Sequence, residues 1–151
     1  MLPDDLPLLS LLIWVPIAGG VWVLFGAGEK HAPAARAMAL AVALLTFLLS
    51  IPLYTGFDAG THAMQFVERM PWIAPFGVEY HLGVDGISMP LILLTTFTTV
   101  LVVLAGWQVI QRRASQYMAA FLIMEGLMNG VFAALDAVLF YVFWEAMLIP
   151  M

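Results

Sequence analysis

The chain has no cysteine and very few charged residues. Without thiols it can form neither a disulfide nor a cysteine-ligated zinc or iron–sulfur site. Only 10% of its residues are charged, far below the roughly 25% usage of soluble domains. Lysine and arginine together number 5 against 10 acidic residues, which leaves no basic patch to neutralise phosphates. These shortages exclude thiol chemistry and argue against both nucleic-acid binding and a soluble fold.

Apolar sequence is what the chain has in abundance, since 64% of its residues are hydrophobic. Several apolar runs approach the length of about 20 residues that a membrane-crossing helix needs. We predict an all-α integral membrane protein, a polytopic transmembrane helix bundle that forms a single membrane domain of about five spans. The predicted spans cover residues 6–25, 37–55, 87–110, 117–135 and 137–151, with an outer loop at 56–86 and weak strand-like alternation at 78–82.

The fourth and fifth predicted spans must be separated by a turn. As one straight helix, residues 117–151 would extend about 50 Å, against a hydrocarbon core of about 30 Å. Asp136 is the charged residue available for this turn, and its carboxylate can cap the following helix. We therefore predict a tight helical hairpin tipped by Asp136. By the same reasoning, Ser88 is the predicted N-cap of the third span.

The basic residues predict the orientation in the membrane. Lys30 and Arg36 connect the first two spans, and Arg112 and Arg113 connect the third and fourth, whereas Arg69 stands alone in the outer loop. Because short cytoplasmic loops carry the excess of lysine and arginine, the N-terminus should lie on the outer side.

Glu125 and Glu145 are the candidate functional residues, because each carboxylate falls deep inside a predicted span. A charge at the centre of a bilayer helix costs roughly 2.5–3.5 kcal/mol or more, and such residues by default mark ion or proton pathways. At 1.5 Å per residue they lie about 16 Å and about 13 Å from Asp136, near the midplane. Two carboxylates at similar depth on adjacent helices cannot both ionise cheaply if they meet, which suits a proton relay.

A packing role is the alternative for both glutamates. Asn129 lies one turn from Glu125 on the same helix face and is a candidate hydrogen-bond neighbour. For Glu125 the proton relay and the packing role both stay open. For Glu145 we favour the functional role over the packing role. No lysine or arginine lies inside any predicted span, so a charged partner for Glu145 would come from outside this sequence. The histidines do not cluster at ligand spacing and predict no metal site: His31, His62 and His81.

Several motifs, mostly in the second half, occur in a familiar order. They are MPWI at 70–73, FG at 76–77, GVDGIS at 83–88, GVFAALD at 130–136 and LFYVFWEAMLIPM at 139–151. Together they closely resemble the N-terminal part of the subunit M family of bacterial NADH-quinone oxidoreductase, respiratory complex I. Members are antiporter-like, proton-translocating membrane subunits.

The resemblance implies a much longer subunit built from inverted helical repeats in the bacterial inner membrane. Glu145 matches a family carboxylate that is essential for proton translocation and is coupled to a lysine of a later helix. Glu125 has no such counterpart and rests on its depth alone. The implied partners are the other membrane-arm subunits, including neighbouring antiporter-like ones. Flavin mononucleotide, iron–sulfur clusters and quinone would bind to other subunits, so we expect no cofactor in this chain.

The predicted fifth span reaches Met151 without a polar anchor, so we expect a partial sequence that cannot translocate protons by itself. Two alternatives stay open from the residues. One is a related subunit of a cation/proton antiporter or membrane-bound hydrogenase complex. The other is a short structural or assembly protein whose glutamates only hold helices together.

Overall fold

A computed structural model describes residues 7–27, 32–57, 60, 63–110 and 112–149 of the chain. Its helices and strands, in chain order, are α1 (Leu8–Trp22), α2 (Ala32–Thr55), β1 (Gln65–Ile73), β2 (Val78–Val84), α3 (Ser88–Val109), α4 (Ala114–Ala133) and α5 (Ala137–Met147). A π-helical turn, Val23–Ala27, extends α1. Three residues used above lie outside the described residues: Lys30 of the orientation argument, and His31 and His62 of the histidine argument.

The helices carry the membrane-protein character that the composition predicts. Within the described ranges, three are long and apolar enough to cross a membrane by length and composition: α1 with its extension, α2 and α3. The helix α4 is of similar length, at 20 residues, but Glu125 and Asn129 make it more polar. The helix α5 is 11 residues long and apolar except for Glu145. The predicted fold class, a helical membrane protein, is confirmed.

The segment predicted as an outer loop contains a β-hairpin. Strands β1 and β2 pair in antiparallel fashion, and a 3-10 turn at Ala74–Phe76 joins them. Gly77 follows this turn with φ at +67°, a left-handed conformation that glycine adopts without strain. The alternation at 78–82 lies in β2, whose Val78, Leu82 and Val84 are buried. The hairpin therefore packs on the helices.

Two acidic side chains organise the helix starts nearby. Asp136 accepts hydrogen bonds from the backbone N–H groups of Val138 (2.9 Å) and Leu139 (3.3 Å), so the predicted cap at the turn between α4 and α5 is confirmed. The expectation for Ser88 was wrong, because Ser88 is the first residue of α3. Asp85 accepts from its N–H at 2.8 Å and from its hydroxyl at 3.1 Å, because the aspartate reaches the free amides of the first turn.

The helix α1 packs against α4 at glycine positions. A Cβ atom on Gly20 would lie 2.8 Å from Cγ1 of Ile123, and one on Gly126 would collide with the backbone oxygen of Ile13. Glycines allow such close approach of helix backbones in membrane proteins. A similar contact joins α4 to α5, where the ring of Phe143 covers Gly130. The packing thus fixes which face of α4 meets each neighbour.

Candidate functional site

Glu125 lies in the middle of α4 and is only 1% exposed. Among the described residues, neither of its carboxyl oxygens has a hydrogen-bond partner. A buried carboxylate without a partner is among the most costly arrangements in a protein, so its presence calls for an explanation beyond packing.

The Glu125 carboxyl borders a groove of about 360 Å³ between α3 and α4. Thr95, Thr98 and Thr99 contribute polar atoms to its α3 side. The hydroxyl of Thr99 lies near the Glu125 carboxyl, but it donates its hydrogen bond to the carbonyl of Thr95 at 2.9 Å. Thr95 in turn donates to the carbonyl of Leu91 at 2.8 Å. Each hydroxyl keeps free lone pairs, so this side of the groove can accept hydrogen bonds from water.

Asn129 does not serve as the hydrogen-bond neighbour that we considered for Glu125. Its side-chain nitrogen donates instead to the backbone oxygen of Leu12 in α1, at 2.9 Å. The side chain is 1% exposed, and its Oδ1 atom has no partner among the described residues. The packing alternative for Glu125 therefore loses Asn129 as its candidate partner.

Glu145 has a different environment, on the exposed face of α5. The side chains around it on this face are large and apolar, and they include Tyr141, Val142, Trp144 and Leu148. Within the described part of the chain no ion pair or hydrogen bond reaches its carboxylate, and no Lys or Arg lies in α5. A carboxylate on such a surface can only be stable in a membrane if it is protonated or covered by a polar or charged partner.

The structure does not bring Glu125 and Glu145 to one site. The helix α5 packs on α4 at Gly130, which at about 100° per residue lies roughly 140° around α4 from Glu125. Glu125 is directed towards α3, whereas Glu145 is on the side of α5 that faces away from the bundle. The sequence placed both near one depth but could not give the rotation of either helix.

A polar network at the hairpin was missed from the sequence. Glu68 accepts from the hydroxyl of Ser10 at 2.5 Å and from its backbone N–H at 3.0 Å. The hydroxyl of Tyr80 lies 3.0 Å from that of Ser10 and also accepts from the indole N–H of Trp14 at 3.0 Å. Because 58 residues separate Ser10 from Glu68, no local pattern signals this link. The network joins the hairpin to the start of α1.

The hairpin is also attached to the turn between α4 and α5. The N–H of Leu135 donates to the carbonyl of His81 at 2.8 Å, and that of Glu79 donates to Asp136 at 3.2 Å. The Glu79 N–H, followed by those of Leu139 and Val138, holds the pKa of Asp136 below its ordinary value. In the parts of the chain that the structure describes, no group of three or more His, Asp or Glu side chains could hold a metal ion.

Comparison with known proteins gives the family. The family model described as "NADH-ubiquinone oxidoreductase chain 4, amino terminus" matches residues 37–133, which is more than half of the chain. The chain belongs to this family. The resemblance seen in the sequence motifs is thereby confirmed.

Relatives from bacteria and plants agree with this assignment. The chain is 46% identical to NADH-quinone oxidoreductase subunit M of Rhodobacter capsulatus over 95% of its own length and 28% of that protein. It is 41% identical to NADH-ubiquinone oxidoreductase chain 4 of Arabidopsis thaliana, over 95% of the chain and 29% of the relative. With NAD(P)H-quinone oxidoreductase chain 4 of Prochlorococcus marinus it shares 42% identity, over 97% and 26%. The chain therefore spans less than a third of these relatives.

Proposed function

We propose that the full-length protein is a membrane-arm subunit of a proton-pumping NADH-quinone oxidoreductase, in which Glu145 is the carboxylate of a proton half-channel. Family membership supports the complex, and the names of the similar proteins favour it over an antiporter or hydrogenase complex. The observation that carries the residue assignment is the position of Glu145 on an apolar, aromatic-rich face of α5 without a partner among the described residues.

The chemistry follows from the change in charge of one carboxyl group. When Glu145 binds a proton it is neutral, and when it releases the proton it becomes an anion in a medium of low dielectric constant. Two unit charges 4 Å apart interact by about 4 kcal/mol at an effective dielectric constant of 20. An energy of this size changes an equilibrium constant about a thousand-fold. A cation placed against Glu145 would therefore respond strongly to its protonation.

Glu125 has the proposed role of a second proton-carrying group. Support comes from its burial, its two unpartnered oxygens and the threonine-lined groove beside it. Water in that groove could accept hydrogen bonds from a protonated Glu125 and donate to the threonine oxygens. Because Glu145 is directed away from this groove, a proton would need further groups to pass between the two glutamates.

The proposal includes a non-redox role for this subunit. The 151 residues of this chain contain no thiol ligand, and in the full complex flavin, iron–sulfur and quinone chemistry would belong to other subunits. Its partners would be the other membrane-arm subunits and the lipid bilayer. We place it in the bacterial inner membrane with the N-terminus on the periplasmic side, an orientation supported by the basic residues of the connections.

The decisive experiment introduces the substitution Glu145→Gln into the full-length subunit within its complex. Glutamine keeps the shape and removes the titratable proton. Proton translocation, measured in inverted membrane vesicles as acidification driven by NADH, should fall by at least about ten-fold, a conservative bound because general acid–base groups contribute roughly 10²–10⁴-fold. The matched control is Glu79→Gln, a half-buried acidic residue of the hairpin that pairs with Arg69.

Assembly provides the second readout of this experiment. The amount of intact complex on native gels should stay equal in the wild type, Glu145→Gln and Glu79→Gln. Normal proton-to-electron stoichiometry and rate in assembled Glu145→Gln complex would refute the assigned role. Co-purification of the protein with an assembly that has no NADH oxidation activity would refute the assigned complex.

A further inference from the structure

Pro16 interrupts the hydrogen-bond ladder of α1. In an α-helix the N–H of each residue donates to the carbonyl four residues earlier, and proline has no N–H. Pro16 lies inside α1, so the carbonyl of Leu12 lacks its helical donor. Leu12 is fully buried, and a buried carbonyl in a membrane protein cannot be satisfied by lipid. Another part of the protein must supply the donor.

Asn129 supplies it. Its Nδ2 atom donates to the oxygen of Leu12 at 2.9 Å, across the contact between α1 and α4. That contact is close because the neighbouring Gly126 has no side chain against Ile13. Since the Leu12 oxygen can only accept, the amide nitrogen must face α1, and the amide oxygen is the atom left over. The sequence contains no other asparagine.

The remaining atoms of Asn129 lie next to Glu125 along α4. Residues four positions apart on a helix are neighbours on one face, with Cβ atoms about 5–6 Å apart. Oδ1 of Asn129 and both carboxyl oxygens of Glu125 are buried, and none has a donor among the described residues. These acceptors belong to neighbouring side chains of α4, and protonation turns one oxygen of Glu125 into a donor, while a water molecule can donate to the acceptors that are left.

We propose that Asn129 is a positioning residue: it replaces the backbone donor that Pro16 lacks, and this bond holds its oxygen beside Glu125 as a proton or water acceptor. The second half rests on the proposed function, because it gives Glu125 a part in proton transfer. The first half stands on the geometry of α1 alone. The two halves predict different behaviour in the same set of variants.

The experiment is a double-mutant cycle in the full-length subunit within the assembled complex, with Asn129→Leu, Pro16→Ala and the combination. Leucine matches asparagine in size, and alanine restores an N–H at position 16. Amide exchange in α1, measured by mass spectrometry, should be roughly five-fold faster or more in Asn129→Leu, as expected for the loss of one buried hydrogen bond. In the double variant it should return to the level of Pro16→Ala.

The matched control for proline removal is Pro52→Ala in α2, another proline inside a long helix. Combined with Asn129→Leu it should leave the faster exchange of α1 unchanged. Proton pumping by the assembled complex is the readout that distinguishes a positioning role of Asn129 from a purely structural one. It should be several-fold slower in Asn129→Leu and stay slow in the double variant, because the amide oxygen beside Glu125 is still missing.

Each outcome decides one half of the proposal. Unchanged exchange of α1 in Asn129→Leu, or no rescue by Pro16→Ala, overturns the donor replacement. Recovery of both exchange and pumping in the double variant shows that Asn129 only supports α1, and overturns the positioning role. Normal pumping in Glu125→Gln overturns the proposed relay and with it the positioning role, while the exchange result keeps its meaning. If Asn129→Leu does not assemble, rescue of assembly by Pro16→Ala is the expected result, and its failure counts against donor replacement.

Discussion

The contact between α1 and α4 gives the sharpest prediction of stability. In Gly126→Ala the new methyl group would collide with the backbone oxygen of Ile13 and would lie 2.6 Å from Cγ1 of Ile17. Carbon atoms are in favourable contact at about 3.5–4.0 Å, so the new methyl group would be about 1 Å too close to Cγ1 of Ile17. The side chain of Ile17 can rotate, but a helix backbone cannot, so the two helices must move apart. Overpacking of this kind costs typically about 1–3 kcal/mol, and the backbone contact favours the upper part of that range.

Two other glycines serve as controls for this substitution. At Gly86 an added methyl group would have nothing within 4 Å, and φ is outside the left-handed region, so Gly86→Ala should be nearly neutral. Gly77 also has open space but φ of +67°, so Gly77→Ala tests backbone conformation without overpacking. The effect there should be confined to the hairpin.

The assay is thermal inactivation of the proposed complex with the full-length protein, followed as loss of the proposed NADH-driven proton pumping, together with amide exchange in α1 and α4. Gly126→Ala should lower the midpoint by several degrees and speed exchange in both helices. Gly86→Ala should match the wild type. If Gly126→Ala behaves like Gly86→Ala in both measurements, the close approach of α1 and α4 is not a real constraint and the reasoning fails.

Two further predictions concern the hairpin and its attachment to α5. Backbone N–H groups, that of Glu79 first, hold the pKa of Asp136 below its ordinary value of 3.8, so the folded turn favours the carboxylate. The stability that the Asp136 carboxylate contributes is therefore complete above about pH 3.8, and it is lost as the pH falls through the lower pKa of Asp136 in the folded state. Exchange at the start of α5 should be constant between pH 5 and 7 after correction for intrinsic rates, and Asp136→Ala should raise it throughout; equal protection in both proteins would refute the cap. Arg69 and Glu79 form an exposed ion pair at 2.7 Å. Such pairs are screened by water and salt, so Arg69→Ala should leave the inactivation midpoint unchanged, and a fall of several degrees would contradict this.

The sequence was sufficient for the helices and the turn between α4 and α5. Apolar length predicts α1, α2 and α3, and a single aspartate between two apolar runs predicts the capped turn at Asp136. The hairpin could not be predicted in the same way. The register of β1 with β2 shifts between Gln65 and Glu68 and again between Pro71 and Ile73, which breaks the alternation that marks a strand.

The sequence predicts a depth for the candidate site but not the rotation of its helices. Counting residues from Asp136 puts Glu125 near the membrane midplane, and the structure adds that its side chain is buried among the helices. Which face of α4 meets α5 depends on Gly130 and Phe143, a contact between residues whose sequence pattern is ordinary. Asn129 was recognised as a neighbour of Glu125, but its partner lies 117 residues away on a backbone carbonyl. The only sign of that partner in the sequence is Pro16, and only a structure shows that the two meet.

The hairpin has a mechanical consequence for the helices that it touches. Glu68 holds the first turn of α1, while the carbonyl of His81 and the N–H of Glu79 hold the residues between α4 and α5. Relative displacement of these helix ends would require several hydrogen bonds to break together. At its other end, α1 finishes in the π-helical turn Val23–Ala27. Any tilting of α1 against α4 therefore has its pivot at the hairpin, and its amplitude grows towards the opposite end of the bundle.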